Sequence, residues 1–225
     1  MSKKNQSSSV KFAVILTIIA ALLIAIFVVF GNKDSEPAQT VDAKPPIKGQ
    51  PVLGESDAPV QVVEFGDYKC PSCKAFEQDV FPKLKKDYID NGDVKFSFIH
   101  VPWHGDGSVL AGLGSEEVWK EDPDNFWKFH QAVFAAQPAS EAEWVTPAKL
   151  TQLAKKTTDI DTDKLKENLS KKTYQAEADV DDKLTKQFNI TGTPTIFVNN
   201  KQVQNFYDYD EIKELIDGEL KGKKS

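Results

Sequence analysis

Two apolar segments flank a stretch with room for one helix and little else. Pro59-Val60-Gln61-Val62-Val63-Glu64-Phe65 is a nearly continuous apolar run, the pattern of a strand buried on both faces. Val94-Lys95-Phe96-Ser97-Phe98-Ile99-His100-Val101 begins with period-two alternation and reads as a second strand. Between them Pro71 suits a first helical turn, and Ala75, Phe76, Val80, Leu84 and Tyr88 recur at helical spacing until Asn91-Gly92-Asp93 ends the helix. Strand, helix, strand with a crossover of this length makes a parallel βαβ unit, which commits the chain to an α/β fold.

The rest of the pattern closes that fold. Segments 108–120 and 124–136 read as helices, the second with a heavy aromatic face of Phe126, Trp127, Phe129 and Phe134 around His130, itself read as a satisfied core histidine. Thr146-Pro147, an N-cap followed by proline at the first position, starts a helix to Lys156, and 161–170 and 173–188 complete the set. Strands return at 195–199 and 202–206 around the turn Asn199-Asn200-Lys201, and a closing helix over 210–220 is expected to be capped by Asp210. The order is βαβ, helices, ββα: residues 51–107 and 186–225 make one α/β domain, and 108–185 a helical domain inserted into it.

Cys70 and Cys73, the only cysteines, lie at the start of the first helix in the run GDYKCPSCKAF. A sulfur there meets unpaired backbone N–H groups and the positive end of the helix dipole, both of which favour thiolate. That lowers a thiol pKa from about 8.5 into the range of about 3.5–7.5. Cys70 is therefore the expected nucleophile and Cys73, one turn inside, the resolving thiol, with Lys69 and Lys74 as solvated surface lysines. A pair so close in sequence closes too short a loop to serve as a structural staple. Glu64 interrupts an apolar strand six residues before Cys70, so a buried carboxyl there would exchange protons with the buried thiol. Thr193-Pro194 stands immediately before a strand, where a cis bond would lay its backbone against the cysteines and pair with an extended substrate chain.

The run GQPVLGESDAPVQVVEFGDYKCPSCKAF, with SEEVWKEDPDNFW and TPTIFVNN, resembles the DsbA-like thiol–disulfide oxidoreductases of the thioredoxin superfamily, and among them the Bacillus type. The resemblance implies a thioredoxin fold with an inserted helical domain, preceded by one transmembrane helix. It implies oxidation of exported proteins with reduced cysteines, and reoxidation by an integral membrane quinone-dependent thiol oxidase. Onto this chain it carries Cys70 as nucleophile, Cys73 as resolving cysteine, Glu64 as buried acid and Thr193-Pro194 as cis-proline loop, with no cofactor for catalysis. It further implies a structural calcium ion away from the cysteines, for which Gln50, Glu116 and Asp181 are the candidate oxygen donors if the end of the tether packs on the helical domain; taken singly, the acids read as ordinary solvated side chains. Pro-Ser between the cysteines departs from the Pro-His of the DsbA pattern and removes a histidine's positive field from the pair.

Location follows from the first thirty residues. Phe12 to Phe30 runs for nineteen residues without a charge, enough helix for a hydrocarbon core of about 30 Å. Lys3, Lys4 and Lys11 precede it and Asp34 and Glu36 follow, so residues 1–11 are expected in the cytoplasm, 12–30 as a single-pass anchor in the cell membrane, and the rest outside. A cleaved signal peptide is the alternative, but the run exceeds the usual apolar length and no A-x-A site follows. Residues 31–50, polar and rich in proline and glycine, read as a tether. Beyond residue 30 the chain holds 25 Lys against 34 acids, a net charge of −9, and no arginine, which excludes nucleic acid as a partner.

Three other readings use the same residues. Cys70, Cys73, His100 and His104 supply a C2H2 set for zinc, although the 26 residues between the pairs exceed finger spacing. Asp159-x-Asp161-x-Asp163 opens like a calcium loop, but Lys164 takes the glycine position and Ser170 the closing glutamate position. His104 otherwise reads as a loop residue lining the substrate groove. Within redox chemistry the alternative is a membrane-anchored reductase or isomerase, such as one serving cytochrome maturation, which needs the cysteines kept reduced.

Overall fold

The structure, a computed structural model, describes residues 38–139 and 143–222 together with Ile15. The apolar run expected to cross the membrane lies, apart from Ile15, outside the described residues; among the described residues no helix is long and apolar enough to do so. From Ala38 onward the chain forms one unit. Its elements are β1 (Gln39–Thr40), β2 (Val52–Leu53), β3 (Val60–Gly66), α1 (Pro71–Asp79), α2 (Phe81–Leu84), β4 (Val94–His100), α3 (Asp106–Glu121), α4 (Phe126–Ala136), α5 (Pro147–Thr157), α6 (Thr162–Lys171), α7 (Gln175–Gln187), β5 (Thr195–Val198), β6 (Lys201–Gln202) and α8 (Tyr209–Gly222).

The sheet runs β1-β6-β5-β3-β4-β2, with β3 and β4 parallel and the other pairs antiparallel. Every residue of β3 is buried, as its apolar run requires, because both faces are covered. Val60 and Val62 join the larger core with Phe76, Phe96, Phe98, Ile196, Ile212 and the aromatic face of α4. Val63 and Phe65, of opposite parity, pack with Ile99, Val101, Phe197, Leu184 of α7 and Ile190 just beyond it. Alternation therefore turns Glu64 toward the same side as Val62, the side on which Cys73 and Phe76 of α1 are buried.

Local chemistry sets the element ends. Thr146 Oγ1 accepts from the Lys149 N–H at 3.1 Å, the expected cap of α5, and Asp161 caps α6 through the Asp163 and Lys164 N–H groups. The helix that begins at Pro71 does not run unbroken to Tyr88. Pro82 has no N–H to give and its ring crowds the preceding turn, so α1 stops at Asp79, and a π-helical turn over Lys85–Ile89 follows α2. The cap of α8 is Asp208 rather than Asp210: its Oδ1 accepts from the Asp210 N–H at 3.0 Å and the Glu211 N–H at 3.3 Å. The second strand of the terminal hairpin is shorter than expected, because the Glu211 carboxylate takes the Gln204 and Asn205 N–H groups that a longer strand would pair. The expected tether is packed from Ala38 onward: Gln39–Thr40 pairs with β6, and the Gln61 amide donates to the Pro45 carbonyl at 2.7 Å.

Candidate active site

Cys70 occupies the N-cap of α1 in extended conformation (φ −75, ψ 120), where serine or threonine would place a hydroxyl. Both thiols are unbridged and buried. Cys70 is pulled down to about 5 by a hydrogen bond from the Cys73 thiol, then by the Thr193 side chain and the N–H groups of Cys73 and Ser72, against the upward push of burial. Cys73 moves the other way: burial pushes it well above an ordinary thiol, and its bond to Cys70 and the nearby charges of Glu64 and Cys70 add to this, offset only by the Asp67 N–H, 3.4 Å from its Sγ. Two identical side chains one turn apart thus acquire opposite acidities.

The distant elements close on this pair. The Thr193-Pro194 bond is cis, and Cys70 Sγ lies 3.3 Å from the Thr193 carbonyl oxygen. Glu64 is fully buried and neither of its carboxyl oxygens has a hydrogen-bond partner of good geometry. Burial raises its pKa well above the usual carboxylate range, and the charges of Glu77 and Cys70 raise it further, offset in part by the neighbouring Cys73 thiol. Space beside it is tight: a Cβ on Gly66 would fall 2.6 Å from Glu64 Oε1 and 2.6 Å from the Phe98 ring.

Asp67 is a hub that sequence reading missed. Its Oδ1 accepts from the Lys69 N–H at 2.8 Å, and its Oδ2 from the Trp103 N–H, the His104 N–H and His104 Nδ1 at 2.9, 3.1 and 2.6 Å. Burial would raise its pKa, but His100, the Lys69 N–H, His104 and Ser108 together hold it below the ordinary value. The turn before Cys70 is thereby tied to the loop after β4, where Trp103 is 46% exposed. Lys69 and Lys74 are engaged rather than solvated: Lys69 Nζ lies 2.7 Å from Glu143 Oε2, and Lys74 donates to the Gln137 carbonyl, both in the connection between α4 and α5 of the inserted domain.

The zinc reading fails here. His100 Nε2 is spent on the Ser108 carbonyl at 2.9 Å and His104 Nδ1 on Asp67, and among the described residues no group of three or more His, Cys, Asp and Glu is placed to hold a metal. Gln50 and Asp181 do meet, the amide donating to Oδ1 at 2.6 Å, while Asp181 Oδ2 accepts from the His100 N–H at 3.0 Å. Asp181 and Glu116 share one cleft and are both raised by burial, Glu116 also by the Asp181 charge. Gln50, bonded to Asp181, has its Oε1 buried without a partner. Two buried carboxyls short of positive charge and an orphaned amide oxygen fit a hard, oxygen-seeking cation.

A thiol of lowered pKa at a helix start, a buried thiol of raised pKa one turn on and a cis-proline carbonyl beside them are the makings of a thiol–disulfide oxidoreductase. A protein-family profile described as thioredoxin matches residues 47–218. The chain is 60% identical over 192 residues to disulfide bond formation protein D of Bacillus subtilis strain 168, covering 85% of this chain and 86% of that protein. It belongs to the thioredoxin family that holds these disulfide bond formation proteins, and is a DsbA-type enzyme with a thioredoxin-like fold and a helical insertion. The probable disulfide bond formation protein D of Bacillus anthracis is 37% identical over 173 residues, 76% of this chain and 79% of that one. Among solved structures, oxidised BdbD from Bacillus subtilis matches with a TM-score of 0.80 at 61% identity, covering 81% of this chain and 99% of that one. Chlamydia trachomatis DsbA, at 22% identity and a TM-score of 0.70 over 78% of this chain and 93% of its own, shares the fold.

Proposed function

We propose that the enzyme is a dithiol oxidase working outside the cytoplasm, anchored by residues 12–30, which passes the Cys70–Cys73 disulfide to exported proteins. The observation that carries this is the asymmetry of the pair, with Cys70 held as an anion at neutral pH and Cys73 as a thiol. A client thiolate attacks Cys70 Sγ and breaks the Cys70–Cys73 bond; Cys73 leaves and takes the proton of the Glu64 carboxyl. A second client thiolate then attacks the client sulfur of the mixed disulfide and expels Cys70 as thiolate, so two electrons pass from client to enzyme. The Thr193 carbonyl offers the client backbone an edge to pair with while this occurs. An integral membrane, quinone-reducing oxidase restores the disulfide. In intact cells an alkylation-shift assay should find Cys70 and Cys73 mostly disulfide-bonded; mostly free thiols would point instead to a reductase.

Gln50, Glu116 and Asp181 would hold a structural calcium ion, whose charge would stand where the two carboxyls otherwise keep protons. Calcium at about 100 times its Kd should then raise the melting temperature by roughly 5–10 °C, from about 2.7 kcal/mol of linkage. A chelator should reverse the rise, and Asp181→Asn should abolish it. A melting curve indifferent to calcium and chelator would remove the assignment.

A further inference from the structure

Asp67 touches both cysteines through its main chain. Its N–H lies 3.4 Å from Cys73 Sγ, and its carbonyl accepts from the Cys70 N–H at 2.9 Å. The peptide group that carries this N–H has Gly66 on its other side, a residue that leaves the plane free to turn unless other contacts fix it. Two sets of contacts do so. The Gly66 carbonyl accepts from the Val101 N–H at 2.7 Å. The fully buried Asp67 carboxylate takes the Trp103 N–H, the His104 N–H and His104 Nδ1 on one oxygen and the Lys69 N–H on the other. Burying a carboxylate is costly unless donors meet it, and here four do. Residues 101–104, just past the end of β4, thus hold the Gly66–Asp67 peptide from both ends and aim its hydrogen at the Cys73 sulfur.

We propose that Asp67 is a positioning residue for Cys73: its carboxylate, braced by residues 101–104, aims the Asp67 N–H at the thiolate that forms when the Cys70–Cys73 bridge opens. As a client thiolate attacks Cys70 Sγ, a client–Cys70 bond forms and the electron pair of the Cys70–Cys73 bond goes to Cys73 Sγ. The N–H meets that charge in a buried site, before the Glu64 proton reaches it. In the reverse step the same N–H steadies the Cys73 thiolate that attacks Cys70 Sγ and expels the client sulfur. The donor has to be fixed in advance, since turning a peptide during the reaction would cost what the bond returns.

The inference rests on Cys73 being the leaving and resolving sulfur, and the test separates the two. Protein is loaded with glutathione on Cys70, and the rate at which Cys73 closes the disulfide and expels glutathione is followed from about pH 8, above the ordinary histidine range, to about pH 11. The titratable groups facing Cys73 are Glu64 of β3 and Cys70, and those facing Asp67 are His100 of β4 and His104. Glutathione silences Cys70 and Glu64→Gln silences the carboxyl, so that background is the parent for every comparison. Asparagine cannot replace Asp67, because whichever way its amide turns, the NH2 group faces a backbone N–H. Asp67→Asn should raise the midpoint of the profile by about one pH unit. A thiolate of higher pKa is also the better nucleophile, so closure should be about threefold slower at the low end and about threefold faster on the plateau. The two profiles should cross. His104→Ala removes one donor and leaves the other three, and should shift the rates the same way, about twofold. A lowered plateau with an unmoved midpoint would mean that the substitution only misplaces the sulfur, and would overturn the proposal, as would profiles superimposed on the parent. Where Asp67→Asn does not fold, the His104→Ala profile alone decides in the same way. Wild-type protein that kept its glutathione at every pH would overturn the role of Cys73 and the inference with it.

Discussion

Cys70→Ser should reduce oxidation of a dithiol peptide to the uncatalysed rate, a loss of at least about three orders of magnitude, as removal of a nucleophile costs in other covalent enzymes. Cys73→Ser should be inactive in a different way, accumulating client-linked mixed disulfides on a non-reducing gel. The difference follows from the two environments. With its pKa near 5, Cys70 is almost fully ionised at neutral pH, whereas a serine hydroxyl in the same place is not a nucleophile without a base. Without Cys73 there is no bridge to pass on, but the Cys70 thiolate still attacks a disulfide already present in a client, one client sulfur leaving as thiolate, and forms a mixed disulfide. Cys73 is needed to release the enzyme from that species, by attacking Cys70 Sγ and expelling the client sulfur. The hydroxyl introduced by Cys73→Ser would still donate a hydrogen bond to Cys70, so this variant should keep a depressed Cys70 acidity. Either variant turning over like wild type would remove the catalytic assignment.

What could be read without coordinates was whatever is local in the chain. Val60–Phe65 announced itself as a doubly buried strand because each side chain meets core, and Cys70-Pro71 marked a helix start that the structure keeps. Glu64 stood out as a charge in an apolar run, and Thr193-Pro194 as a proline before a strand. The break at Pro82 was hidden because Phe76, Val80, Leu84 and Tyr88 keep a helical repeat across it, the π-helical turn absorbing the offset. The edge strands β1 and β2 are two residues each and have no period to detect. Asp67 escaped for another reason: its partner His104 is 37 residues away, and no spacing rule connects them.

The reduced protein should gain stability over the oxidised protein as pH rises from 5 toward 8, by a margin of ~3 kcal/mol, each pKa unit being worth about 1.4 kcal/mol before solvent screening at the partly open thiolate reduces it. Cys70 is the cause. Its pKa falls from the ordinary value of 9.0 to about 5 in the folded state, so between those values the unfolded chain binds a proton that the folded one has released. A depressed acid stabilises the fold fully above its unfolded pKa and loses that contribution as pH falls through its folded pKa, so stability rises with pH across this window. Glu64 acts with the opposite sign: its raised pKa contributes below the ordinary carboxylate range and is lost as pH rises. Glu64 is present in both redox forms, however, and much of its effect cancels in the difference. Cys73, also raised, begins to subtract only near and above the unfolded thiol pKa of about 8.5, which sets the upper end of the useful range. Melting curves of the two redox forms at each pH check this directly, and Cys70→Ser should flatten the reduced curve. The same free energy sets the redox poise: ~3 kcal/mol favouring the dithiol corresponds to roughly 65 mV toward a more oxidising couple, so a flat difference between pH 5 and 8 would leave the site without its driving force.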